Sequence, residues 1–323
     1  MSSIIPTIRL DDSDQEELVK TLRSACVDVG FFYVENHGIS TDLIKRVMHQ
    51  TKLLFDLPLE EKQVLSDKVL SRGYTAFEEE KLDPKRQSKG DTKEGFYIGK
   101  DVPKESAEYN PAKLTGPNQW PSPADSPSMS DCPEFKNVME EYRSECTRVG
   151  FRLVQLIALA IGLKDEHYFD EDFADPLVTL RLLRYAKETS QPDDGVFACG
   201  AHSDYGCLTL LLTDENEGLQ IFKDKKEWIE VPPRPFAFVI NLGDMLERWT
   251  NGMFRSTVHR VLTTGNAVRY SLPCFYDPHF DTTVKVLDIC CSDDNPPKYP
   301  PTTVGGHLLE KYKQTHADFE PEE

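Results

Sequence analysis

The 323-residue chain is 39% hydrophobic and 28% charged, a globular balance that argues against disorder and is compatible with one large domain. Its formal net charge of −18 repels phosphate backbones, which excludes general nucleic-acid binding. Met1–Pro6 has neither a basic stretch nor a long apolar core, no run of about 18 apolar residues follows, and the eight cysteines lack a C-x-x-C pair. These features predict a cytoplasmic protein with no membrane association and no disulfide framework.

In chain order, Ser13-x-x-Glu16 has the pattern of a capping box, and Leu18, Leu22, Cys26 and Val29 follow at helical spacing until Gly30. Phe31–Val34 reads as a short buried strand ending at Asn36-His37-Gly38. A second helix is expected from Ser40 to the residues before Leu57-Pro58. Residues 71–130 are rich in Pro, Gly, Ser and charge, and predict long connections with short strands such as Gly95–Gly99. A long helix follows from Pro133, at a first-turn position, to Gly162. Its stripe of Phe135, Met139, Tyr142, Cys146, Val149, Leu153 and Leu156 is expected to back a sheet.

From residue 177 the period changes to two. Val178, Leu180 and Leu182 share one face of a strand, with Thr179, Arg181, Leu183 and Tyr185 on the other. One apolar and one partly polar face suits a barrel wall that looks into a cavity. Further strands are expected over 206–213, 219–222, 236–241, 256–263 and 267–276. The expected fold is mainly β with flanking helices around a double-sheet barrel. Residues 1–130 form an N-terminal helix and strand region packed on the core, and 131–323 hold the long backing helix, the barrel and a C-terminal helix.

The chemistry-bearing residues lie in the barrel segment. His202-x-Asp204 puts an imidazole and a carboxylate on one face if the segment is a strand, although such a pair is common by chance. His259, in Arg255–Val261, adds a second imidazole on a strand able to lie beside the first. Two histidines and one carboxylate occupy one face of an octahedron and leave positions open, the arrangement of non-haem iron(II) oxygenases. A structural zinc site would close with four protein ligands. Ten residues on, Arg269-x-Ser271 again places two side chains on one face, and a guanidinium with a hydroxyl forms an anchor for a carboxylate. Tyr185 is able to supply another hydroxyl.

These motifs, with Gly206–Leu211, Gly218–Ile221, Asn241–Gly252, Ile5–Ile8 and Gly30–Gly38, resemble the iron(II)- and 2-oxoglutarate-dependent oxygenases related to isopenicillin N synthase over nearly the whole chain. The resemblance implies a double-stranded β-helix, or jelly-roll, core. It implies Fe(2+) on His202, Asp204 and His259, and 2-oxoglutarate chelating the metal with its far carboxylate on Arg269, Ser271 and Tyr185. Dioxygen is consumed, with succinate and CO2 released and ascorbate as a reductant. By the same likeness His37, Asn241, Asp244 and Trp249 are structural. One departure is Leu183, where family members often carry an Asn that touches the cosubstrate, so no substrate is transferable from the branches that carry it.

The expected reaction is oxidation, foremost hydroxylation, of a small organic metabolite by a monomeric enzyme. Phe275, on the face of Arg269 and Ser271, is expected to pack on the substrate ring, Arg181 to bind its polar end, and Tyr97 to line the pocket. Three alternatives stand beside this: a 2-oxoglutarate-independent iron oxidase of the same family, a non-redox metal hydrolase or isomerase on a similar barrel, and a non-catalytic binding module. Succinate release separates the first, anaerobic activity the second, and loss of a metal ligand the third.

Overall fold

The computed structural model describes residues 4–124, 127–129, 134–224 and 226–315. Pro133, expected to open the long helix, and the expected boundary at 130/131 lie outside the described residues. Helix α1 (Gln15–Asp28) starts one residue later than the capping box predicts: Asp14, not Ser13, caps it, accepting the Glu17 N–H at 3.1 Å. Strand β1 (Thr7–Arg9) pairs in parallel with β2 (Phe31–Glu35). Helix α2 (Thr41–Asp56) begins at Ser40, whose hydroxyl accepts the Leu43 N–H at 3.1 Å.

The short helix α3 (Leu59–Gln63) leads into strands β3 (Ser66–Asp67), β4 (Arg72–Thr75) and β5 (Lys93–Ile98). Helix α4 (Phe135–Ile161) ends at Gly162, whose φ of 110° is the left-handed conformation that a C-terminal glycine supplies. All seven residues of its predicted stripe are buried. At Gly150 the Tyr276 ring approaches so closely that a Cβ would lie 2.7 Å from it, which lets the helix seat directly on the sheet.

The barrel strands are β6 (Leu177–Tyr185), β7 (Cys199–His202), β8 (Leu208–Thr213), β9 (Leu219–Lys223), β10 (Glu227–Glu230), β11 (Phe238–Leu242), β12 (His259–Val261) and β13 (Arg269–Asp277). Helix α5 (Asp244–Trp249) joins β11 to β12. A hairpin of β14 (Thr283–Val284) and β15 (Thr302–Thr303) precedes helix α6 (Val304–Thr315).

One sheet runs β1-β2-β11-β8-β13-β6-β5-β4-β3, and a second runs β10-β9-β12-β7. The N-terminal strands therefore extend the same large sheet that β6, β8, β11 and β13 form. The alternation expected for β6 is present: Val178, Leu180 and Leu182 join the core shared with α4, while Leu183 and Tyr185 face a second apolar layer that includes Ile221 and Val261 of the small sheet. The two sheets are thus the walls of a jelly roll with its cavity between them.

Candidate metal and cosubstrate site

The small sheet brings the two histidines together. His202 ends β7, His259 begins β12, and the two are direct antiparallel partners with ring centroids 4.3 Å apart. The Nδ1 of His202 lies 2.9 Å from the Gly200 carbonyl, and that of His259 lies 3.1 Å from the Thr257 carbonyl. A proton held on each Nδ1 by a carbonyl leaves the Nε2 lone pair free for a metal.

Asp204 is placed differently from the sequence expectation. It lies past the end of β7, in a turn, so backbone contacts rather than strand alternation aim it. The Asp244 N–H donates to its carbonyl at 2.8 Å. Its Oδ2 accepts from the Asn241 amide at 2.7 Å and from the Thr209 hydroxyl. The other oxygen, Oδ1, stands 3.6 Å from His202 Nε2 and 3.5 Å from His259 Nε2.

The three atoms able to hold a metal lie within 4.8 Å of one another, and among the described residues this is the one such cluster of His, Cys, Asp and Glu. Burial holds His259 down at about 4, reinforced by His202, so its imidazole is neutral and ready to bind a cation at neutral pH. Burial raises Asp204, but the two imidazoles, Asn241 and Thr209 outweigh it and keep the carboxyl below its ordinary value. This donor set, N, N and O from three side chains with no fourth, fits an iron(II) ion with open positions. Asn241, structural by the resemblance, is a direct hydrogen-bond partner of the Asp204 carboxylate.

The neighbouring cavity is lined by β6 and β13. Arg269 is 2% exposed; its Nε donates to the Asn216 carbonyl at 3.3 Å, and its buried Nη1 has no acceptor. The guanidinium stacks 4.9 Å from the Tyr185 ring, and the Ser271 hydroxyl donates to the Tyr185 oxygen at 3.3 Å. Burial raises the Tyr185 phenol, keeping it a neutral donor. A guanidinium edge, a hydroxyl and a phenol therefore converge in the cavity that also holds the histidines, and an orphaned buried N–H is what an absent carboxylate would satisfy. Leu183 faces this cavity too, filling the place of the Asn expected from the resemblance.

A second cavity meets the first at His202, Asp204, Arg181 and Phe275. Phe275, Arg181 and Tyr97 all line it. Arg181, expected to bind the polar end of the substrate, has its charge already matched within the protein. Its fork is engaged by Glu80, with Nη2 to Oε2 at 3.0 Å and Nη1 to Oε1 at 3.3 Å. Its Cζ also lies 4.4 Å from the centre of the Tyr97 ring. Glu80 takes a second cation, Lys93, at 2.7 Å, and Lys93 also pairs with Asp91. Burial opposes the charge on Lys93, but Asp91, Cys199 and Glu80 outweigh it and hold the ammonium protonated.

Asp277 lines the same cavity and accepts the Cys207 N–H at 2.5 Å. It steadies the turn after Asp204, and the absent side chain of Gly206 makes room for it: a Cβ there would lie 2.0 Å from Oδ1. Sequence reasoning missed Glu80, Asp91, Lys93, Asp277 and Thr209. For Asp277 and Thr209 a signal existed: each sits two residues along its strand from a pocket-facing position. Glu80 and Asp91 gave none.

Family models match twice: residues 5–123 to the "non-haem dioxygenase in morphine synthesis N-terminal" family and residues 178–278 to the 2OG-Fe(II) oxygenase superfamily. The chain is similar to the 2-oxoglutarate-Fe(II) type oxidoreductase hxnY of Emericella nidulans, 34% identical over 98% of this chain and 89% of that one. It is also similar to the homoarginine-6-hydroxylase 2-ODD-C23 of Glycine max, 35% identical over 96% and 92%. A crystal structure of Neurospora crassa T7H with alpha-KG and thymine superposes with a TM-score of 0.82 at 26% identity, covering 96% of each chain.

Proposed function

Because the chain belongs to the 2OG-Fe(II) oxygenase superfamily, and is thereby an iron(II)- and 2-oxoglutarate-dependent dioxygenase, we propose that it hydroxylates a small ring-bearing metabolite. His202, Asp204 and His259 hold the iron, and Arg269, Ser271 and Tyr185 hold the far carboxylate of 2-oxoglutarate. The observation that carries the cosubstrate assignment is the buried Arg269 Nη1 with no protein acceptor, beside Ser271 on its own strand and Tyr185 on the next. It also favours a 2-oxoglutarate user over an oxidase that needs none.

The bound metal supplies dioxygen activation coupled to decarboxylation of the cosubstrate. The protein positions and excludes water. Asn241 and Thr209 fix one oxygen of Asp204 so that the other points at the metal position. Apolar residues of both sheets, Leu183, Leu211, Leu219 and Val261, dry the cosubstrate cavity. Phe275, at the junction of the two cavities, packs on the substrate ring, and Tyr97 forms the far wall. Relatives named for homoarginine and crystallised with thymine agree with a compact substrate, and no helix among the described residues is long and apolar enough to cross a membrane.

The test is succinate release from 2-oxoglutarate. It should require both Fe(II) and air, and His259→Ala should abolish it while the circular dichroism spectrum stays that of the parent. Activity that persists anaerobically, or with zinc alone, would refute the assignment in favour of a hydrolase or isomerase.

A further inference from the structure

Two arginines line the substrate cavity, and they differ in one respect. Arg181 has a carboxylate fork, Glu80, closed on it. Arg72, at the start of β4, is equally buried, at 8% exposed, yet among the described residues no carboxylate pairs with it. Its Nη1 donates to the carbonyls of Leu70 and Ser71 at 3.1 and 3.2 Å, and one N–H of Nη2 goes to the Leu114 carbonyl at 2.8 Å. Its Nε is buried and has no acceptor. Three neutral carbonyls orient the guanidinium, burial weighs against its charge more than Tyr312 and Asp67 favour it, and a cation held away from water without an ion pair is costly.

The Nε hydrogen has no acceptor and Nη2 carries one hydrogen beyond its bond to Leu114, and Gly99 packs closely against this end of the guanidinium. At Gly99 a Cβ would come within 2.2 Å of Nη2 and 2.7 Å of Nε. An edge with two parallel N–H groups matches a planar carboxylate. A phosphate dianion would call for a second free cation, and Arg181 and Lys93 are already matched by Glu80 and Asp91.

We propose that Arg72 anchors a carboxylate on the substrate, placing the ring against Phe275 and the reacting carbon toward the metal, so that the enzyme acts on ring-bearing carboxylic acids. This rests on the oxygenase reading above and adds the substrate's polar group to it. The experiment titrates the anaerobic Fe(II)–2-oxoglutarate enzyme by calorimetry with a panel of aromatic carboxylic acids and their matched primary amides. Substrate-free succinate release under air is followed separately, so failure of the oxygenase reading shows there and not in the titration.

At least one acid should bind ten-fold or more tighter than its amide. Arg72→Gln should bring that ratio close to one, with 2-oxoglutarate affinity unchanged as the sign of an intact fold. Arg72→Lys, which keeps the charge and loses the fork, should keep part of the preference. Gly99→Ala should lose the preference with the arginine still present. No acid binding tighter than its amide, or a preference that survives Arg72→Gln, would overturn the proposal.

Discussion

Arg269 and Arg181 are buried guanidiniums on adjacent strands, and their surroundings give them opposite roles. Glu80 closes on Arg181 with two hydrogen bonds, so a substrate finds little unspent charge there. Arg269 has one carbonyl partner and an orphaned Nη1, which is why we propose that the 2-oxoglutarate carboxylate completes it. Arg269→Lys retains a charge but presents one donor where two are needed, and cosubstrate affinity should fall several-fold. Arg269→Ala leaves a carboxylate in a dry cavity without its cation, a loss of about 2–5 kcal/mol in binding. Direct titration with 2-oxoglutarate checks both, and equal affinity in parent and variants would remove Arg269 from the anchor. Arg181→Ala, by contrast, should leave that affinity unchanged.

Among the elements, the strands with two unlike faces were legible. In β13, and in β6 up to Leu183, a cavity residue alternates with a core residue, so period two alone put Tyr185, Arg269, Ser271 and Phe275 on the face that lines the cavities. Strand β7, Cys-Gly-Ala-His, was not, because small residues carry no alternation. Nor was β10, whose Trp228 and Ile229 are flanked by Glu227 and Glu230.

The connection between β4 and β5 was illegible for a stronger reason. Glu78-Glu79-Glu80-Lys81 has the composition of a solvated surface run, yet its third glutamate is 7% exposed and meets an arginine 101 positions away. Pairings of that separation belong to the tertiary fold, not to local pattern. They also make Glu80 the clasp of the connection. Glu80→Gln would leave Arg181 without a carboxylate and Lys93 with Asp91 alone, and breaking a buried pair from one side costs about 3–5 kcal/mol. Urea unfolding should show a loss of that size, with faster proteolysis within residues 76–92. A stability equal to the parent would mean that the two cations find water instead.

At the scale of the whole molecule, two buried groups in the metal region act on stability in opposite directions as pH changes. Burial lowers His259 from 6.5 to about 4, so between those values the unfolded chain binds a proton that the fold excludes, and stability of the metal-free protein rises with pH. Burial raises Asp277 from 3.8 to about 7, with Asp204 adding to the rise and the Cys207 N–H opposing it. In that window the fold keeps a proton that the unfolded chain has released, so this contribution is present at low pH and is lost as pH climbs through 7. The two slopes largely cancel between about pH 4 and 6.5, and the metal-free parent should show a shallow profile there. Asp277→Asn separates them. The amide oxygen still accepts the Cys207 N–H, the side chain keeps its volume, and the titration is gone. Unfolding free energies of the metal-free variant and parent should therefore diverge steadily from about pH 4 upward in favour of the variant. The gap should level off above pH 7 at up to about 4 kcal/mol, since each tenfold difference in proton affinity between fold and unfolded chain is worth about 1.4 kcal/mol. A constant gap between pH 4 and 8 in chemical denaturation would show that Asp277 is ionised in the fold throughout, and that its place beside Gly206 and Cys207 is not the dry pocket that its burial implies.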